Sequence, residues 1–487
     1  MAGKSNEELI GGGADFFSIF ICMLKLIFPA LVLIFQCMAS TAQVVKTTRG
    51  YIKGIEEQGI FVFKGIPYAS AERFKAPIPR PAWKDTLSCT AFGPIAPQWD
   101  GKVAGEEDCL RLNLYTSGVK GKKPVVVWVH GGGMTGGTGM WMDGHAFADH
   151  DSIITITINY RLGAFGFIYM GDVPGYETAP NNAVLDLIAS LQWIRENIAA
   201  FGGDPKRVTV MGESAGAKLS SVLLVAPGAK GKYSQLVLES GGVNCIRDTT
   251  TARAIRQRLM DTLGISDPKE FLRLSVKEII TAQTKVLKGA SGTNYFGPMA
   301  DEKIVYGDAY NYLKQHPVKN VRVLLGSNKA EALLFMNIDK RLYHPDVQVL
   351  RDWFGKNGDL VKMPADTAGM MQTLSRIMYQ LHTYRLANVL GAQRANVWLY
   401  SFEQSSHGKP ATHGQELGYI WGSSQPLENP GLQTRMHVDW VNFIKGKHLW
   451  TKYDERKLGM IYGEPTREER IPGWEDANYP AMGFLLD

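Results

Sequence analysis

Residues Arg207 to Ser221 read RVTVMGESAGAKLSS, and this stretch decides the fold. Val208-Thr209-Val210 is a β-branched run that suits a strand. Gly212-Glu213-Ser214-Ala215-Gly216 follows, and then small and apolar residues that suit a helix. A strand, a tight turn and a helix around G-x-S-x-G make a strained elbow that exposes the central serine. Glycines two before and two after leave room for so sharp a turn. The helix behind it aims its first N–H groups at any negative charge that develops there. A serine hydroxyl is a weak nucleophile, so Ser214 needs a base and an acid elsewhere in the chain.

Working outward, fully apolar runs of the kind buried in a parallel sheet recur along the chain. They are Pro124 to Val129, Ser152 to Ile158, Val208 to Val210, Gln235 to Leu238, Val321 to Leu325 and Asn396 to Tyr400. Between the second and third, Val184, Leu187, Ile188, Leu191, Ile194 and Ile198 fall on one helical face. The spacing predicts a helix over roughly Ala183 to Ala200, stopped by Gly202-Gly203-Asp204-Pro205. Strands alternating with helices predict an α/β fold with an open, mostly parallel central sheet. Gly-punctuated segments from Val44 predict antiparallel strands at its start, and the proline-rich Arg73 to Trp83 a surface loop. Ala252 to Lys288 and Arg341 to Gly391 read as helical insertions over the sheet's carboxyl edge, where ligands bind in such folds.

The candidates for chemistry follow those runs. His130-Gly131-Gly132-Gly133 comes after the first, and three glycines in a row leave bare N–H groups. With the N–H of Ala215, those of Gly132 and Gly133 form the expected oxyanion hole; one such donor is worth about 3 kcal/mol of barrier. Glu331, six residues past the VRVLL run, is the expected acid; Asp301-Glu302 is a rival without a strong strand before it. After NVWLYSF come His407 and His413, and the pattern alone leaves these two open as the base.

Composition frames the rest. The chain has 487 residues, 45% hydrophobic and 21% charged, with a formal net charge of +6. Basic residues are dispersed, and the Lys120 to Lys123 patch reads as a solvated loop, so no nucleic-acid partner is expected. Lys25, the apolar run Leu26 to Phe35 and the small-residue end Met38 to Ala42 read as an export leader. Residues 1–42 are therefore expected to be a cleaved signal peptide, with an uncleaved anchor as the alternative and Met23 as a second start. Residues 43–487 are expected to form one domain, secreted or periplasmic, without a stable membrane span. No cysteine spacing suits a metal, and no cofactor is expected.

The sequence resembles the carboxylesterase type-B, or cholinesterase-like, family of α/β-hydrolases. The resemblance rests on FKGIPYA (63–69), EEDCLRLNLY (106–115), VHGGG (129–133), INYRLGAFGF (158–167), FGGDPKRVTVMGESAG (201–216), GSNKAEALLF (326–335), ATHGQELGYIWG (411–422) and WVNFIKGKHLW (440–450). It implies a Ser214–His413–Glu331 triad, favours His413 over His407, and implies hydrolysis of small to medium carboxylic esters through an acyl-enzyme. The alternatives are a non-catalytic adhesion protein on this fold, or a lipase or amidase. The cysteine that usually partners Cys109 is Ala96 here, which leaves Cys89–Cys109 as the expected disulfide. Met134, Asn181-Asn182 and Ala332 also depart from the family pattern. Met134, Met140 and Trp141 are candidate pocket walls, and Lys218, one helical turn past Ser214, is a candidate for biasing the pocket toward acidic substrates.

Overall fold

In the computed structural model the described residues are 42–287, 292–393, 395–422, 427–471, 479–480 and 483–486. The expected leader lies almost wholly outside them. The chain builds one eleven-stranded sheet. In chain order its strands are β1 (Ile55–Glu57), β2 (Ile60–Pro67), β3 (Arg111–Thr116), β4 (Lys123–Val129), β5 (Ile154–Ile158) and β6 (Gly203–Glu213). Then come β7 (Gln235–Glu239), β8 (Arg322–Asn328), β9 (Asn396–Phe402), β10 (Leu458–Tyr462) and β11 (Arg467–Arg470). The spatial order is β11-β10-β9-β8-β7-β6-β4-β5-β3-β2-β1. Strands β4 to β10 run parallel, and the outer strands at both edges are antiparallel.

Alternation along each buried strand divides the core in two. Val125, Val127, Val208, Val210, Leu236, Leu238, Val323 and Leu325 face one way. They pack with α1 (Asn182–Asn197), α2 (Ala215–Val222) and α8 (Leu381–Ala392). Val126, Trp128, Met211, Val237, Leu324 and Trp398 face the other way, against Met436, Trp440 and Phe443 of α9 (Pro430–Ile444). Every residue of β5 and β7 is buried, so even Thr155, Thr157, Gln235 and Glu239 lie inside the sheet's cover on both faces.

The expected helix forms as α1 and continues as a 3₁₀ turn over Ile198–Phe201, closed by Gly202 at φ +80°. The insertions are helical as read. The first supplies α3 (Thr249–Leu263) and α4 (Val276–Leu287). The second supplies α6 (Val347–Phe354), α7 (Thr367–Ser375) and α8, with α5 (Ala332–Ile338) just before it. A π-helical turn, Arg376–Gln380, joins α7 to α8. The sequence reading passed over β10 and β11, because β11 (REER) is fully exposed and carries no apolar alternation.

The expected Cys89–Cys109 disulfide is corrected: both cysteines are free and buried, as is Cys245. Cys109 sits beside the buried Arg161–Asp186 ion pair, and the carbonyl of Cys89 accepts from Lys64 on β2. Position 96, where the family keeps the partner cysteine, is a buried alanine. Burial pushes both thiols up to about 12. No helix among the described residues is long and apolar enough to cross a membrane.

The elbow glycines are required by contact. A Cβ on Gly216 would lie 2.0 Å from the carbonyl oxygen of Val129 and 2.8 Å from that of His130. A Cβ on Gly264, at φ +68° beyond α3, would meet nothing within 4 Å. Gly216→Ala is therefore expected to cost about 3 kcal/mol or more through overpacking, and Gly264→Ala about 1 kcal/mol of backbone strain alone. Denaturant unfolding checks the difference; equal costs would contradict the contact argument.

Candidate active site

Strand β6 ends at Glu213, α2 starts at Ala215, and Ser214 between them sits at φ +55° and ψ −121°. The neighbouring strands hold this conformation: the Ser214 N–H donates to the carbonyl of Glu239 at 2.9 Å, and the Lys218 N–H donates to the Ser214 carbonyl at 2.9 Å. The residue is 6% exposed. Gly131 passes so close that a Cβ there would lie 3.3 Å from Cβ of Ser214. The Gly132–Gly133 loop is thus beside the elbow, with both glycines at positive φ (+98° and +64°). Among the described residues no acceptor is recorded for the N–H of Gly132, Gly133 or Ala215. His130 at the head of the loop is buried and stacked on Tyr160 at 4.5 Å. Burial holds it down at about 4, so it is neutral and structural.

Glu331 stands at the start of α5, three residues past β8, and its carboxyl group is fully buried. Three donors satisfy it: the Ser240 hydroxyl at 2.5 Å, the Asn328 N–H at 2.7 Å and Nδ1 of His413 at 2.5 Å. Ser240, at φ +56° past the end of β7, is a second strained serine that presents its hydroxyl to the acid. The loop after β9 delivers His413 across 82 residues of sequence. His407, the other candidate, points its side chain into solvent, where Nδ1 meets the Ser406 hydroxyl at 3.0 Å and Glu428 at 3.9 Å. The structure therefore separates the two histidines that the sequence pattern could not. Asp301, the rival acid, accepts from its own loop's N–H groups and from Asn181, which is a structural task.

The second imidazole nitrogen is the informative one. Nε2 of His413 lies 3.0 Å from Oε1 of Glu213, a buried contact between the imidazole and the carboxylate that precedes Ser214. The Tyr379 ring lies 4.4 Å from the imidazole, and its phenol interacts with the side chain of Ser214. Tyr379 thus touches both groups, and the structure records no direct Ser214–His413 hydrogen bond. Burial alone would disfavour the imidazolium. The Tyr379 phenol and the carboxylates of Glu213 and Glu331 outweigh burial and raise His413 well above its usual range.

Sequence reasoning did not assign the residues around this core. Glu416 is fully buried, takes a hydrogen bond from Asn328, and is pushed up to about 8 by burial and by Glu213 and Glu331. Glu239 accepts from Trp440 at 2.7 Å and is raised by burial and by Glu416. Glu213 and Glu416 stand inside quoted motifs, and Ser240 directly follows a buried strand, so a signal existed for all three. Tyr379 comes from the π-turn, where no pattern announces it. Met134 is buried, whereas Met140 and Trp141 are exposed. Among the described residues no cluster of three His, Cys, Asp or Glu is placed to hold a metal.

The chain is similar to known proteins along most of its length. Residues 41–356 match the carboxylesterase family. Over 471 residues the chain is 32% identical to the para-nitrobenzyl esterase of Bacillus subtilis (strain 168), covering 88% of this chain and 95% of that one. It is 28% identical over 474 residues to the fumonisin B1 esterase of Sphingopyxis macrogoltabida, covering 86% of each. A carboxylesterase structure from Geobacillus stearothermophilus aligns with a TM-score of 0.79 at 31% identity, covering 90% of this chain and 100% of that one.

A base must be neutral to take a proton, so kcat/KM is expected to rise with pH through the elevated value of His413, with its midpoint above 6.5. Glu213→Gln removes a carboxylate that favours the imidazolium, so the midpoint should move to lower pH. A pH–rate profile of both proteins checks this; a midpoint that stays put or rises contradicts it.

Proposed function

Because the chain belongs to the carboxylesterase family and is a serine hydrolase of carboxylic esters, we propose that Ser214, His413 and Glu331 carry that reaction. Ser214 is the nucleophile, His413 the base and Glu331 the residue that orients and charges the imidazole. One observation supports this most: Nδ1 of His413 is held at 2.5 Å by a buried carboxylate, while Nε2 lies 3.0 Å from Glu213, the residue just before Ser214.

Nε2 takes the Ser214 proton as the hydroxyl oxygen adds to the ester carbonyl. The N–H groups of Gly132, Gly133 and Ala215 receive the oxygen anion. His413 returns the proton to the departing alcohol, then activates water to release the acid. For this to begin, Ser214 must exchange Tyr379 for His413, and Tyr379 is the side chain that meets both. The substrates in this reading are small to medium esters. The protein is exported in the same reading, with Gln43 its first mature residue, which N-terminal sequencing reads directly.

Ser214→Ala and His413→Asn are expected to lower kcat on a p-nitrophenyl ester by about 10⁴-fold or more, and Glu331→Gln by about 10³-fold, with smaller changes in KM. Steady-state kinetics on the three variants tests the assignment. Full turnover by any of them overturns its role.

A further inference from the structure

Lys218 is a buried cation one helical turn past Ser214, at 4% exposure on a helix whose other residues are all buried. Among the described residues its ammonium has no ion pair. Its recorded contact is the face of the Tyr379 ring, 4.5 Å from Nζ to the ring centre. Burying an ammonium without an anion costs several kcal/mol. Burial, the largest effect, pulls Lys218 down to about 8, so it still carries charge near neutrality. Arg247, a second buried cation, holds the carbonyls of Asn244 and Asn294 at 3.4 and 3.2 Å and lies 5.5 Å from the Phe484 ring.

Lys218, Arg247 and Asn244 face one small cavity, walled by Ile377, Met378 and Phe484. At about 10 Å³ it has the room of a single water. Ile377 and Met378 belong to the π-turn, and the next residue of that turn, Tyr379, covers Ser214. The partition between the cavity and the nucleophile is therefore one irregular turn. π-turns inside helices recur at functional sites. A shift of Arg376–Gln380 would uncover Ser214 and join it to the space in front of Lys218. Carboxylates and cations meet here: Glu213, Glu331 and Glu416 surround His413, and Lys218 and Arg247 line the cavity.

Resting on the assignment of Ser214 as nucleophile, we propose that Lys218, with Arg247 behind it, forms an acyl subsite for a carboxylate, so that the enzyme favours monoesters of short dicarboxylic acids. The ester carbonyl lies at Ser214 and the free carboxylate at Lys218. The Ser214 oxygen bonds to the carbonyl carbon, the C–O bond to the alcohol breaks, and the alcohol leaves with the proton held by His413. Water then cleaves the acyl-enzyme, so monoester and water give dicarboxylate, alcohol and one proton.

The test compares monoethyl succinate with ethyl butanoate by ethanol release, at fixed ionic strength and pH 7, for the wild type, Lys218→Met and Lys218→Arg. The ratio of kcat/KM, succinate ester over butanoate ester, is expected to fall about tenfold or more in Lys218→Met and to be largely kept in Lys218→Arg, the worth of one desolvated charge contact. A ratio unchanged in Lys218→Met overturns the subsite, including the outcome in which both esters slow in parallel. In the wild type, free succinate should inhibit ethyl butanoate hydrolysis competitively and about tenfold more tightly than butanoate; equal inhibition overturns the proposal even where a variant fails to fold. A wild type inert on both esters would instead sink the nucleophile assignment, which separates the two failures.

Discussion

The structure depends on one buried contact, the 2.5 Å hydrogen bond between Nδ1 of His413 and Oε2 of Glu331. Its partners stand on loops after adjacent parallel strands, β8 and β9, whose register sets Ser327 against Ser401 and Asn328 against Phe402. A carboxylate this deep would be costly without donors, and Ser240, Asn328 and His413 provide three. The contact fixes which imidazole nitrogen faces the elbow. It also collects negative charge: Glu213, Glu239 and Glu416 crowd the same region, and their buried carboxyl groups favour a charged imidazole or hold protons themselves.

Much of this could be read along the chain because the physics is local. The elbow needs glycines where Val129 and His130 present their carbonyls, and the sequence has glycines there. Buried parallel strands leave unbroken apolar runs, so the strands leading to Ser214, Glu331 and His413 were placed within a few residues. What escaped notice has no periodic signature. β11 is an exposed edge of charged residues. Tyr379 reaches the site through an irregular turn 165 positions beyond the nucleophile in the chain. His407 and His413 have similar sequence surroundings, and only the fold puts one into solvent and the other beside a carboxylate. The Cys89–Cys109 pairing rested on the cysteines left after an expected leader, a count that carries no geometry, and both thiols are free.

Tyr379 links the two halves of the account. Its phenol meets Ser214, its ring lies 4.4 Å from the imidazole of His413, and the Lys218 ammonium lies 4.5 Å from the ring centre. The turn that carries Tyr379 over Ser214 also supplies Ile377 and Met378 to the wall of the cavity beside the buried cations. Opening would exchange an aromatic cover for substrate and give the ammonium an anion to meet, so binding and the exposure of the nucleophile would be coupled through one segment of backbone.

The most direct measurement is covalent. A fluorophosphonate reacts only with a serine whose hydroxyl is activated by a base and faces oxyanion donors. Digestion and mass spectrometry of the labelled protein should find one adduct, on the peptide containing Ser214, formed faster as pH rises. Absence of labelling, or an adduct on another serine, would contradict the central claim.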